Sequence, residues 1–218
     1  REAVTHKLGR ANLEGLKVAI QGLGNVGYRL AEYLNEAGAV LFVTDIVQAS
    51  VDRAVRELNA TAVSGDEIFA LDVDVFAPCA LGAAINDQTI DQLKVSIVAG
   101  AANNQLATTA HGQILHDRGV LYAPDYVVNA GGIIDVYYQR KMLSADYSAA
   151  NYASDLSTKV EGIGRTLREI FVRSETENVS TVVIANRVAE ERFNHADKHW
   201  QPSKLDVPEA ARSYSKSA

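Results

Sequence analysis

A chain of 218 residues that is 47% hydrophobic and 22% charged has the composition of a globular domain with a sizeable core. Its net charge of −6, with no cluster of Lys and Arg, gives no electrostatic basis for binding nucleic acid. The single cysteine, Cys79, excludes an internal disulfide framework and fits a reducing, cytoplasmic location, and no apolar run approaches the roughly 18 residues of a membrane-spanning helix.

The first residues, Arg1 to Lys7, have no apolar signal core and no initiating Met, which hints at processing or at excision from something longer. Residues 1–15 are polar with helical flavour and close on Asn12-Leu-Glu-Gly15, a turn signal. Strands and helices then alternate. Strands are expected at 16–21, 39–44, 61–63, 73–77, 95–99 and 120–122, each a short Val/Ile-rich run that mostly lacks alternation, as strands covered on both faces do. Helices are expected at 25–37, 48–58, 66–70, 86–93 and 107–118. The alternation predicts an α/β fold of Rossmann type, a doubly wound parallel sheet with helices on both faces. Beyond about 126 the style changes. Residues 127–141 read as helical despite Gly131-Gly132, and 137–152 hold four tyrosines without a clear period. Helical periodicity returns at 154–174 and 181–195. The tail from His199, rich in Ser, Lys and Ala, reads as disordered. The expected organisation is a leading helix and linker over 1–15, a Rossmann domain over 16–135, a hinge with C-terminal helices over 136–198, and a tail over 199–218.

The first crossover carries the most specific chemistry. An apolar strand runs into Gly22-Leu-Gly24-Asn25-Val26-Gly27, a helical pattern follows, and the next strand ends in Asp45. Gly22 permits the tight turn, Gly24 lets backbone approach a pyrophosphate, and Gly27 lets helix and strand pack closely. The N–H groups and positive dipole end at Asn25 then face the phosphates. Asp45 lies 18 residues after Gly27, near the spacing of the acid that bonds the adenosine ribose. A carboxylate there repels a 2′-phosphate, and Ile46-Val47-Gln48 supplies no cation to hold one, so NAD is favoured over NADP. The motif alone also fits FAD.

Ligands of open α/β sheets lie outside the carboxyl ends of the strands. The fourth strand ends in Phe76-Ala-Pro-Cys-Ala-Leu-Gly82, whose small residues leave room for a flat ring or ribose, or form a tight turn. The fifth ends in Val98-Ala-Gly-Ala-Ala-Asn-Asn-Gln105, where carboxamides suit either an oriented polar ring or helix capping. The sixth ends at Pro124, after which Asn129 precedes a helix, as a cap or as a ligand group. No Ser-His-Asp arrangement, HExxH or CxxC occurs, and no metal is expected. His111 and His116 are expected on the surface. Lys17 and Lys94 begin strands, so no proton acceptor stands beside a hydride carbon, and no catalytic residue is assigned.

These segments together resemble the glutamate/leucine/phenylalanine/valine dehydrogenases, and within them the leucine dehydrogenases most. The likeness runs through Glu14–Gly27, Val43-Thr-Asp-Ile46, Ala77-Pro-Cys-Ala-Leu-Gly82 with Ile85-Asn86, Ala99-Gly-Ala-Ala-Asn-Asn-Gln-Leu106, Tyr122-Ala-Pro-Asp-Tyr126, Asn129-Ala-Gly-Gly132, Lys159-Val-Glu-Gly-Ile163 and Ala189-Glu-Glu-Arg192. The resemblance implies NAD-dependent oxidative deamination of a branched-chain L-amino acid such as leucine to the 2-oxo acid and ammonia. The phenylalanine and valine branches, and a stand-alone non-catalytic NAD module, are the alternatives. It also implies a first domain with a catalytic lysine in a Gly-Gly-Gly-Lys context, absent from this sequence, as partner within the same polypeptide, and a homo-oligomer at full length. Carried over, Gly22, Gly24, Asn25 and Val26 meet the pyrophosphate, and Asp45 with Ile46 the adenosine. Cys79, Ala80, Ala101 and Asn103 line the nicotinamide, Asn129 bonds the nicotinamide or the substrate amine region, and Val160 and Ile163 touch an apolar substrate side chain. Such enzymes often carry Ala where Gly27 stands, a difference expected to leave packing intact. The Tyr-rich stretch at 137–152 is longer than the family pattern.

Overall fold

The computed structural model describes residues 1–143 and 147–196. The expected disordered tail from His199 lies outside the described residues. Contacts divide the chain at Asn186 into a compact unit, Arg1–Asn186, and a second unit whose described part is the end of one helix, to Ala196.

The chain runs α1 (Glu2–Leu8), β1 (Lys17–Gln21), α2 (Asn25–Glu36), β2 (Val40–Thr44), α3 (Gln48–Leu58), β3 (Thr61–Ala62), β4 (Val75–Pro78), β5 (Ile97–Val98), α4 (Thr109–Asp117), β6 (Leu121–Tyr122), α5 (Asp125–Val128), α6 (Ala130–Lys141), α7 (Ala149–Glu177) and α8 (Thr181–Ala196). The six strands form one all-parallel sheet in the order β3-β2-β1-β4-β5-β6. The order reverses between β1 and β4, which opens a crevice at their carboxyl ends. Val18, Ala19 and Ile20 of β1 and all of β4 are buried, as expected of strands covered on both faces. On one face Phe76, wholly buried, packs with Phe69, Ile85, Leu115 and Val182. Burying one such side chain contributes about 1.5–3 kcal/mol.

Several elements differ from the sequence expectation. The segments at 66–70 and 86–93 form only short 3₁₀ turns, Glu67–Ala70 and Ile90–Gln92. At the first, Ser64 and Glu67 bond each other's backbone N–H groups. At the second, Asn86 Oδ1 accepts from the N–H groups of Gln88 and Thr89. Such local bonds compete with a continuing helix. β5 and β6 shrink to two residues each. The helix expected at 127–141 is split at Asn129 into α5 and α6. α7 begins at Ala149, earlier than expected, because Ser148 Oγ accepts from the Asn151 N–H and caps it.

The Tyr-rich stretch joins α6 to α7. The Tyr147 hydroxyl donates to Asp155 at 2.8 Å, and the Tyr152 hydroxyl donates to Asp135. Lys141 Nζ sits 5.3–5.5 Å from the ring centres of Tyr137, Tyr138 and Tyr147. Glu2 binds Arg168 at 2.8 Å, which fastens α1 to α7.

Candidate functional site

The turn after β1 is built for close approach. Gly22 has φ +98°, and a Cβ there would lie 2.6 Å from the backbone nitrogen of Ala80. Its N–H donates to Thr44 O at 2.8 Å, drawing the turn toward β2. A Cβ on Gly27 would lie 2.1 Å from Gly22 O and 3.0 Å from the Cys79 Cβ. In this backbone an Ala at 27 is therefore not neutral: it collides with a carbonyl that belongs to the turn itself. Gly24 is the opposite case. Nothing lies within 4 Å of where its Cβ would be, and Gly24, Asn25 and Val26 are exposed. α2 starts there with no capping side-chain bond and no acid in its first turn. Its first N–H groups and positive dipole end thus face open space beside bare backbone.

Asp45 is bonded to that turn. Its Oδ2 accepts from the Leu23 N–H at 2.5 Å and its Oδ1 from the Val47 N–H at 2.7 Å. Two backbone donors fix the carboxylate, and about half of its four lone-pair sites stay open to hydroxyl donors. The Ile46 side chain beside it is fully exposed.

The other half of the mouth is laced from three loops. Those after β4 and β5 run side by side through a parallel bridge between Ile85 and Leu106, with Ala83 N–H donating to Asn104 O at 2.6 Å and Ile85 N–H to Gln105 O at 3.0 Å. Close crossing demands glycine: a Cβ on Gly100 would lie 2.2 Å from Pro78 O. Cys79 and Ala80 sit half-buried where this lacing meets the Gly22 turn. Burial pushes the Cys79 thiol up, and a backbone hydrogen bond from Ala101 opposes it.

Asn129 brings the third loop in. Its Nδ2 donates to Ala102 O at 2.9 Å and to Asn103 Oδ1 at 3.2 Å. The two carboxamides are thereby joined, which leaves a donor on Asn103 and an acceptor on Asn129. Neither side chain caps a helix, although Asn129 stands at the N-cap position of α6. α4 is capped by Thr108, and the Asn129 side chain makes no cap bond to α6.

Two buried polar residues absent from the expected site lie directly behind. Gln105, wholly buried, donates from Nε2 to Gly100 O at 2.8 Å and to Ala102 O at 3.0 Å. Asp125, 9% exposed, accepts from the Gln105 N–H at 3.0 Å and the Tyr126 N–H at 2.8 Å. The only sequence signals were a third amide directly after Asn103-Asn104 and an acid directly after Pro124. Burial, then the Asp125 charge, pushes the neighbouring Tyr126 hydroxyl up to about 12 and raises Tyr122 as well.

The structure thus gathers Gly22, Gly24, Asn25, Val26, Gly27, Asp45 and Ile46 on one side of the mouth, and Cys79, Ala80, Ala101, Asn103 and Asn129 on the other. Val160 and Ile163 sit on a separate element, α7, whose neighbours are α1, α5 and α6. His111 is a correction: it is 3% exposed, not on the surface. Its Nδ1 accepts from the Thr108 N–H at 3.1 Å, which places the proton on Nε2, 2.9 Å from Asp87 Oδ1. His116 is half-buried against Asn178.

Chemically, the mouth offers amide donors for a diphosphate, a fixed carboxylate for sugar hydroxyls, and paired carboxamides for a polar ring. Residues 42–199 match the family model described as Glutamate/Leucine/Phenylalanine/Valine dehydrogenase. The chain is 46% identical over 193 residues to a leucine dehydrogenase of Bacillus subtilis (strain 168), covering 88% of this chain and 51% of that protein. It is 45% identical over 184 residues to a phenylalanine dehydrogenase of Lysinibacillus sphaericus, covering 82% of this chain and 46% of that one. The crystal structure of L-tryptophan dehydrogenase from Nostoc punctiforme superimposes with a TM-score of 0.83 at 42% identity, covering 90% of this chain and 57% of that one. The chain spans about half the length of these relatives.

Proposed function

The chain belongs to the glutamate/leucine/phenylalanine/valine dehydrogenase family, and on that premise we propose that it is the part of an L-amino-acid dehydrogenase that binds NAD. The substrate is an apolar L-amino acid, leucine first, in keeping with the names of the relatives. The chemistry NAD supplies when bound is acceptance of hydride from the substrate α-carbon.

The observation that carries the reading is the pairing of the open backbone at Gly24 with the Asp45 carboxylate fixed beside that turn by the Leu23 and Val47 N–H groups. The α2 N-terminus neutralises diphosphate charge. Asp45 accepts ribose hydroxyls and disfavours a 2′-phosphate, which selects NAD over NADP. Asn103 and Asn129 offer one donor and one acceptor to a carboxamide and so fix which ring face meets the substrate. Val160 and Ile163 are assigned to the apolar substrate side chain on the family likeness alone. Residues 16–135 form the cofactor domain in this reading, and 136–198 the hinge and returning helices. The acid/base lysine implied by the likeness is assigned to the half of the relatives that this chain does not span, as is assembly into a homo-oligomer.

Fluorescence titration tests it. Saturable NADH binding is expected, tighter than NADPH binding, and Asp45→Ala should weaken it about tenfold by removing charge-assisted bonds to the ribose. A chain that leaves NADH fluorescence unchanged and fails to retain NADH in equilibrium dialysis would overturn the reading. Leucine-dependent reduction of NAD by this chain alone would overturn the placement of the lysine elsewhere.

A further inference from the structure

Asp125 and Gln105 together hold the loop after β5 and tie it to α5. α5 is one helical turn, and both of its ends grip the same loop. At its start, Asp125 Oδ2 accepts from the Gln105 N–H at 3.0 Å. At its end, Asn129 Nδ2 donates to Ala102 O at 2.9 Å and Asn103 Oδ1 at 3.2 Å. The Asn129 N–H donates in turn to Asp125 O at 2.8 Å, so the two grips are one turn of the same helix. Ala102 O is the shared node. It accepts from Asn129 and from Gln105 Nε2, which also holds Gly100 O. The Ala102 N–H donates to Pro78 O at 2.9 Å, tying the node to the end of β4.

This bonding is costly to bury. A carboxylate 9% exposed and an amide 0% exposed lie among apolar strand ends, and Gln105 Oε1 has no hydrogen-bond partner. A loop needing only to close could do so with apolar side chains, since polar burial is unfavourable unless each group is satisfied. What the polar groups add is direction: a hydrogen-bonded turn has one register, whereas apolar packing tolerates several.

We propose that Asp125 and Gln105 are positioning residues: they set the angle and spacing of the Asn103–Asn129 carboxamide pair and so decide how firmly the nicotinamide ring, as distinct from the rest of the dinucleotide, is held. This rests on the NAD reading above. It extends that reading to two residues without ligand contact, and to one half of the ligand only. The Gly22–Asp45 side has its own bonds and shares none of these.

The split between the halves is measurable on the whole 218-residue chain. NADH and ADP-ribose differ by the dihydronicotinamide ring, so the ratio of their dissociation constants isolates the ring's share. In the wild type NADH should bind about tenfold more tightly than ADP-ribose, one oriented polar contact pair's worth. In Asp125→Ala and in Gln105→Leu that ratio should fall toward one while ADP-ribose affinity stays unchanged. The emission of bound NADH should shift back toward that of free NADH. Asp125→Asn keeps one acceptor oxygen and should recover part of the ratio. If Asp125→Ala does not fold, Gln105→Leu and Asp125→Asn carry the test. Variants that keep the wild-type ratio, or that lose NADH and ADP-ribose equally, would overturn the proposal while leaving NAD binding intact. A wild type that binds neither ligand would remove the NAD reading itself, and this inference with it.

Discussion

The two halves of the mouth are tied together by different sets of bonds. On the β1–β2 side the backbone does the shaping: one turn, glycines that bring chain against chain, and a carboxylate held by two backbone N–H groups. On the β4–β5–α5 side a close backbone crossing at Gly100 is joined by side-chain bonds: Asp125 and Asn129 reach back 20 and 27 residues, and Gln105 ties together its own loop. An added atom breaks the first half at Gly22, whereas in the second the loss of Asp125 or Asn129 unties one loop from another. Under the NAD reading, the two ends of the ligand are then held by different bonds.

The largest effect expected breaks the first half. Gly22→Ala places a methyl 2.6 Å from Ala80 N in a residue held at φ +98°. Strain and overlap together should cost about 3 kcal/mol or more, visible as a lower midpoint in urea unfolding and as loss of NADH binding. The same substitution at Gly24 meets nothing within 4 Å. Gly24→Ala should leave the unfolding midpoint within about 1 kcal/mol of wild type, because no protein atom occupies that space. If the two variants unfold alike, the turn is looser than the comparison requires.

Gly27→Ala comes next and pits two effects against each other. Alanine in a helix gains about 1 kcal/mol over glycine, but overpacking costs about 1–3 kcal/mol. Overlap should win, because the atom 2.1 Å away is the Gly22 carbonyl oxygen, a backbone atom that cannot rotate aside. A net loss of about 1 kcal/mol is expected in urea unfolding. A stabilised variant would show that the turn can shift at little cost.

The contrast also explains what the sequence could disclose. Strands β1 and β2, helices α2 and α3, and the glycine turn were legible because their causes are local: apolar runs, helical periodicity and residues that permit one backbone conformation. Asn103 and Asn129 were legible as polar residues at strand ends, but whether they cap helices or bond each other was not. The answer depends on Ala102 O, 27 residues before Asn129. Gln105 and Asp125 went unremarked for the same reason, as each has meaning only beside the other. His111 read as a surface residue because its partner Asp87 stands 24 residues earlier, across a loop whose path no periodicity predicts. The expected strand at 95–99 ends at Val98, just before Gly100 crosses Pro78, a tertiary demand invisible in an apolar run.

The smallest effect sharpens the comparison by pH. The first crossover is also fastened on its outer side, where Glu57 of α3 accepts from Arg53, from the Tyr28 hydroxyl of α2 at 2.9 Å and from Arg56. Arg53 first, then Tyr28 and Arg56, hold the Glu57 carboxyl down at about 2, against an ordinary 4.5. A depressed folded value means that the carboxylate's contribution is complete above about 4.5 and is lost as pH falls from there through about 2. Because the group is solvent-exposed, added salt should shrink the effect. Thermal unfolding of wild type and Glu57→Gln should differ at neutral pH and converge over that acid window. Nothing on the carboxamide side depends on this bond, so NADH-to-ADP-ribose selectivity of the Gln variant should equal that of wild type. A change in that ratio would mean that the α2–α3 fastening and the α5 platform move together, and that the two halves are not separate after all.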